Sequence, residues 1–337
     1  MNTRERFQAA MNFKPFDRLP IVEWAIWWDT TINRWHTEGL SPNLTDRYDL
    51  YDHFGMDQYK QSWFSARAAG CPSPCGHGLG IIDNENDYDR IKPFLFPKFE
   101  SDHPFWRQWA EEQKRGDSVI WVTVEGFFWF PRTLFGIEPH LYAFFDHPKL
   151  MHRINTDLAD WMLESFEALC TICTPDFMTF AEDMSYNHGS MLSKELYDEF
   201  MDPYYRRVLP ALKQRGIRSI IDSDGDVSVP AHWFEASGLE GILPLERQAG
   251  VDIAKLRADH PAMLFIGHFD KMTMSHGEAA MRAEFERLLP VAAKGGFLIS
   301  CDHQTPPGVS LDNFKIYLKL FQEYAEKAGR LSRGLTP

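Results

Sequence analysis

The chain has 337 residues, enough for one large domain or two of ordinary size, with 44% apolar and 25% charged residues, which excludes a disordered composition. The formal charge of −13 argues against a nucleic-acid partner, because phosphate binding needs a basic surface, and weighs against a highly anionic substrate. Aromatic residues reach 14%, with 11 Trp and 26 Phe, enough to fill a core and to line a pocket with rings.

The first residues are amphipathic and charged throughout, so the sequence predicts a short N-terminal helical extension and not a secretion signal. No run of about 18 apolar residues follows, and no membrane span is expected. The five cysteines are an odd number in a long chain, which points to a reducing, cytoplasmic setting without a disulfide scaffold.

Along the chain, eight short runs read as strands: 19–24, 57–64, 119–125, 176–183, 217–223, 239–246, 263–268 and 297–302. Several are apolar almost without interruption, as parallel strands covered on both faces must be. Helical patterns separate them. Residues 140–173 suit two helices broken near residues 146–148. Residues 193–215 run from a Ser193 N-cap to a Gly216 C-cap. Further patterns occupy 229–237, 252–259, 277–294 and 312–327. Eightfold strand–helix alternation predicts an α/β fold, a (β/α)8 TIM barrel spanning 1–337 as a single domain. The rival, a doubly wound open sheet, lacks a Gly-rich phosphate fingerprint after the first strand. Residues 66–101 fit no strand–helix unit and are expected as a rim excursion or lid.

Function in such barrels gathers where strands end at their C-terminal side. The first three ends are aromatic: Trp24, Trp27, Trp63 and Trp129, with Arg67 and Glu125 nearby. The last five are rich in carboxylate and imidazole: Glu182, Asp183, Asp222, Asp224, Asp226, Glu246, His268, Asp270, Asp302 and His303. So many carboxylates at one mouth repel one another unless a cation or shared protons neutralise them. Asp222 and Asp224 alternate by two and can point to one side of a strand. With His303 they form a candidate set for one divalent metal, with Glu182 as a fourth ligand or a general acid. Mixed carboxylate and imidazole ligands suit zinc, manganese or iron(II). The competing reading has these acids bonding backbone amides in the turns. Cys71, Cys75 and His77 offer only three ligands in a Gly/Pro-rich loop, and the Cys170/Cys173 pair reads as core packing.

Several stretches together resemble the uroporphyrinogen decarboxylase superfamily: 3–7, 17–20, 181–193, 222–226, 238–246, 249–252, 267–271 and 295–313. The resemblance spans nearly the whole chain and implies a barrel with its site at the C-terminal mouth. It also implies one of two chemistries, a cofactor-free decarboxylase or a zinc-using methyltransferase linked to a corrinoid. The haem-pathway decarboxylase grips its eight-carboxylate substrate with an Arg-containing segment after the first strand. Here residues 23–29 hold no cation, which speaks against that activity. The methyltransferases carry a His-x-Cys pair at strand five and a third ligand at strand eight. The positions here are Asp222, Asp224 and His303, with Cys301 two residues from the last. A harder set of this kind suits an oxygen-linked methyl donor better than a thiol.

The leading expectation is thus a metal-dependent, zinc-type methyltransferase. It moves a methyl group from a small oxygen-linked substrate to a corrinoid carried on a separate protein. Catalytic candidates are Glu182, Tyr186 and Lys271. Substrate contacts are expected from Trp24, Trp27, Trp63, Trp129, Arg67 and Glu246. The corrinoid partner would dock near 66–101, and the resemblance also admits a homodimer. The alternative is a decarboxylase of a small acid, with Arg67, Arg132, Arg247 or Lys271 pairing the carboxylate and Asp57 or Tyr186 aiding proton transfer. A third reading is a ligand-binding barrel without turnover.

Overall fold

The computed structural model describes residues 1–101 and 103–336. The strands in chain order are β1 (Gln58–Phe64), β2 (Ser118–Glu125), β3 (Phe177–Ala181), β4 (Ser185–Tyr186), β5 (Gly189–Ser190), β6 (Arg218–Asp222), β7 (Gly241–Leu243), β8 (Leu264–Phe269) and β9 (Phe297–Cys301). Seven of them form one sheet in the order β1-β2-β3-β6-β7-β8-β9, every neighbouring pair parallel. β4 and β5 make a separate antiparallel hairpin. All eight residues of β2 are buried, which explains the apolar stretch 119–122 at its centre: helices cover one face and the sheet interior the other. The crossover between each parallel pair carries helix, as parallel connections require.

The expected helix break near Pro148 is present, giving Ile137–Asp146 and Pro148–Cys170. The expected helix over 193–215 divides into Lys194–Phe200 and Asp202–Gln214, with Pro203 in the first turn of the second piece, where its missing N–H costs nothing. Ser193 caps the first piece, its hydroxyl accepting from the Leu196 N–H. The N-terminal extension is the helix Thr3–Met11, opened by a capping box between Asn2 and Glu5. It lies under the N-terminal ends of the strands, where Arg4 pairs with Asp176 at 2.7 Å and the Gly296 N–H donates to Ala10 O.

Residues 19–24, expected as the first strand, form no strand. Pro20 has no N–H to give a ladder, and side chains take the ladder's place. The Asp57 N–H donates to Ile21 O and the Asp57 carboxylate accepts from the Ile21 N–H, tying the segment to the start of β1. On the other side the buried Glu23 carboxylate accepts from the Cys301 N–H, the Ser300 hydroxyl and the Tyr317 hydroxyl. The Trp24 N–H donates to Ser300 Oγ. The segment therefore links the two sheet edges, β1 and β9, by individual side-chain bonds.

The 66–101 excursion carries the short helix Glu85–Ile91 and a 3-10 turn at Lys92–Phe94. It is pinned at two places, by a bridge between Arg67 and Leu95 and another between Leu79 and Gly136. No helix among the described residues is long and apolar enough to cross a membrane.

Candidate metal centre

The site is built where β3 and β6 end. Ala181 and Asp222 are register partners in the parallel ladder. Past Ala181 the chain turns sharply, and the N–H groups of Glu182 and Asp183 both donate to the Asp222 carbonyl, at 2.8 and 3.3 Å. Asp183 takes a left-handed φ of +42°, a conformation Asp tolerates better than most residues. That single rotation brings the Asp183 carboxylate beside those of Asp222 and Asp224, and one ligating oxygen from each lies within 4.8 Å of the other two.

The turn after β6 is held from outside. Gly225 has φ +82°, and a Cβ there would fall 2.6 Å from the Tyr186 backbone, so the hairpin β4–β5 can approach only a glycine. The Gly225 N–H donates to Glu246 Oε2 at 2.9 Å and the Asp226 N–H to Tyr186 O at 2.9 Å. His303, just beyond β9, places Nε2 at 3.6 Å from Asp224 Oδ2 and meets the Trp24 ring edge-on at 5.9 Å.

The electrostatics are uncompensated. Burial, then the Asp224 charge, pushes the Asp183 carboxyl up to about 6. Burial and the charges of Asp183 and Asp224 raise Asp222 well above the carboxylate range. The Asp224 carboxylate raises the His303 imidazole against the opposing effect of burial. Among the described residues no hydrogen-bond donor reaches the carboxylate of Asp222 or of Asp224, and both residues are half-buried and open to solvent. Three acidic oxygens with an imidazole at their edge make a donor set that fits a divalent cation. Among the described residues no other group of three or more His, Cys, Asp or Glu has metal spacing, so Cys71, Cys75 and His77 are not gathered.

Of the residues expected as ligands, Asp222 and Asp224 lie together, His303 stands at their edge beside Asp224, and Asp183, not expected among them, completes the carboxylate cluster. Alternation along a strand would turn Asp183 aside; the tolerance of Asp for left-handed backbone was the one available signal. Glu182 goes the other way. Its carboxylate is fully buried and accepts from the N–H groups of Phe127, Phe128 and Trp129 and from the Tyr205 hydroxyl. Burial outweighs those bonds and lifts it to about 7. With both oxygens engaged it is neither a fourth ligand nor a mouth acid, which corrects that expectation.

Of the expected aromatic wall, Trp24 stands by His303, its Nε1–H held by Cys301 O. Trp129 stacks under the Arg132 guanidinium at 5.0 Å, and Arg132 Nη1 also reaches Asp183 O at 3.4 Å. Trp27 is not a wall residue: it is 4% exposed and packed among Trp35, Tyr51, Phe54 and Phe314. Trp63 is 56% exposed at the end of β1. Arg67 pairs with Glu125 at 2.8 Å, and Lys271 with Asp302 at 3.2 Å. Tyr186 is half-exposed on the hairpin. Cys301 is buried beneath Trp24, outside the carboxylate cluster.

The family description of uroporphyrinogen decarboxylase (URO-D) matches residues 132–324. No curated protein matches the chain. Among solved structures, a methyltransferase from Methanosarcina mazei superposes with a TM-score of 0.65 at 15% identity, over 96% of this chain and 99% of that one. A protein described as a vitamin-B12-independent methionine synthase from Listeria monocytogenes superposes with a TM-score of 0.46 at 13% identity, over 95% and 98%. The first of these likenesses is one of fold. The family match takes in β3, the turn to Asp183, β6 with Asp222 and Asp224, and β9 with His303, and it covers 193 of 337 residues: the chain belongs to the uroporphyrinogen decarboxylase family.

Proposed function

We propose that the protein is a metal-dependent methyltransferase. It takes a methyl group from a small oxygen-linked substrate and passes it to a corrinoid on a separate protein. The observation that carries the reading is the convergence of the Asp183, Asp222 and Asp224 carboxylates, one oxygen of each within 4.8 Å of the others, whose mutual repulsion a bound cation would relieve. Asp222, Asp224 and His303 would hold the metal together with Asp183, and zinc is the first candidate for this oxygen and nitrogen set. When bound, the metal supplies Lewis acidity toward the substrate oxygen.

The rest is the work of the chain's own side chains. Trp24, edge-on to His303, and Trp129, fixed by Arg132, are placed to hold the apolar part of a substrate. Tyr186, half-exposed beside Gly225, is the rim hydroxyl available to protonate the leaving oxygen. Lys271 is tied to Asp302 and Gln248 and shapes the rim.

Docking of a second protein is supported by the rim itself. Leu79 of the excursion adjoins the helix Ile137–Asp146, where Tyr142 is 59% and Phe145 69% exposed and Ile137 and Leu141 are also open. A contiguous apolar surface of this kind marks an interaction site more often than idle surface. The M. mazei protein that shares this fold is described as a methyltransferase, which supports the methyl-transfer part of the reading.

The test is elemental analysis of the purified protein and of Asp224→Ala, followed by methylation of cob(I)alamin from a panel of small methyl ethers. About one equivalent of zinc, manganese or iron, lost in the variant, supports the proposal. No metal, and no uptake of any, overturns it. Turnover of a small acid without metal would then favour the decarboxylase reading, and binding without turnover a ligand-binding barrel.

A further inference from the structure

A cleft with room for about 370 Å³ of ligand opens beside the end of β1, between that strand, the end of the 66–101 excursion and the helix Pro104–Arg115. Its walls include the rings of Trp63, Phe99, Phe105 and Trp161, and its charged lining includes Arg67 and Lys98. This volume lies in the range of small-molecule pockets. The cleft is separate from the carboxylate cluster, since none of Asp183, Asp222, Asp224 or His303 lines it. The nearest link runs along the sheet rim: Arg67 pairs with Glu125, and Glu125, Ala181 and Asp222 are successive register partners. Two strand spacings therefore separate Glu125 from Asp222, about 10 Å.

We propose that this cleft binds a planar aromatic carboxylate, as a ligand site distinct from the metal centre. Two features select that class. The rings are held in place by mutual packing: Phe64 lies against Phe99 and Trp106 at 5.0 and 5.9 Å, and Trp161 Nε1–H is anchored on Pro97 O at 2.7 Å. Trp63 alone is left open, at 56% exposure, as a lid-like face for a flat guest. Two cations, Arg67 and Lys98, line the cleft against one carboxylate, Glu100, in a chain whose net charge is −13. Lys98 has no carboxylate partner among the described residues, and Arg67 commits only Nη2, to Glu125. The remaining guanidinium donors and the Lys98 ammonium face a ligand whose ring stacks on Trp63 and Phe105 and whose carboxylate pairs with the two cations. Glu100, the carboxylate that also lines the cleft, is exposed and disfavours a second negative group on the guest. A monoacid fits better than a diacid.

The probe is 2-naphthoate, titrated calorimetrically into the full chain, with 2-naphthalenemethanol as the uncharged control. Wild type is expected to bind naphthoate at least tenfold more tightly than the alcohol. Lys98→Ala and Trp63→Ala are each expected to weaken binding about tenfold, that is by about 1.4 kcal/mol. Both side chains are exposed, so an unchanged Tm verifies that the fold is kept. Asp224→Ala is expected to bind naphthoate as wild type does, whatever becomes of the metal proposal. No binding at millimolar probe, equal affinity for the alcohol, wild-type affinity in both cleft variants, or loss of binding in Asp224→Ala would each overturn the assignment.

Discussion

His303 Nε2 stands 3.6 Å from Asp224 Oδ2, so the ends of β9 and β6 meet across the mouth through an imidazole and a carboxylate. The contact joins an imidazole at the cluster's edge to one of its three acids. Removing either partner should therefore damage the same function. Asp224→Ala and His303→Ala are each expected to lower metal affinity by about tenfold or more, as losses around metal ligands do. Competition against a chromophoric chelator measures this. Equal affinity in both variants and wild type would remove these two residues from the site.

Asp183 offers a pH test. Its carboxyl sits at about 6, above the ordinary 3.8, because burial and Asp224 penalise the anion. A raised folded value stabilises the fold fully below the unfolded value near 4, and that contribution is lost as pH rises through 6. Asp183→Asn keeps a residue that accepts φ +42° and removes the charge. Without metal, the Tm of the variant minus that of wild type should grow from pH 4 to pH 7, while its metal affinity falls. Paired thermal melts across that range measure it, and a flat difference would contradict the conflict among the three acids.

The Glu182 node is expected to matter for folding and not for chemistry. Its oxygens collect three backbone N–H groups and the Tyr205 hydroxyl at the start of the helix Trp129–Phe135. In Glu182→Gln an amide NH2 would face one of those donors, at a cost on the order of 1–3 kcal/mol. Gly126→Ala should act similarly, since its Cβ would lie 2.1 Å from the Glu182 carboxyl carbon. Urea midpoints should fall in both, with m unchanged.

Asp57 belongs to the opposite end of the sheet. Its carboxylate accepts from both Nη atoms of Arg18, at 2.7 and 2.9 Å, and from the Ile21 N–H at 2.8 Å, with Arg6 at 3.3 Å. It anchors the segment that stands in for a first strand and takes no part in proton transfer at the mouth. Asp57→Ala leaves the largely buried Arg18 guanidinium without its carboxylate, while Arg6 keeps Asp17, a loss of about 3–5 kcal/mol. Denaturation should show that loss while metal content per folded molecule stays at the wild-type value.

Much of this was legible in the linear chain. Seven of the eight runs became strands of one parallel sheet, and the most apolar of them are buried along their length, as strands covered on both faces must be. Ser193 and the break at Pro148 were readable as local helix signals. The pairing of Asp222 with Asp224 was readable too, since alternation by two sends both side chains to one side.

Tertiary structure decided the rest. Residues 19–24 have the apolar content of a strand, yet their partners are the Asp57 carboxylate, the Ser300 hydroxyl and the Cys301 N–H, brought together only when β1 and β9 approach. Glu182 and Asp183 are adjacent carboxylates that look alike in sequence. The register of β3 against β6, and one left-handed φ at Asp183, send the first to cap a helix and the second to the carboxylate cluster. Composition and periodicity report whether a residue is buried and how often a face recurs; which atoms meet there depends on backbone geometry and strand register, which are fixed by the whole packed fold.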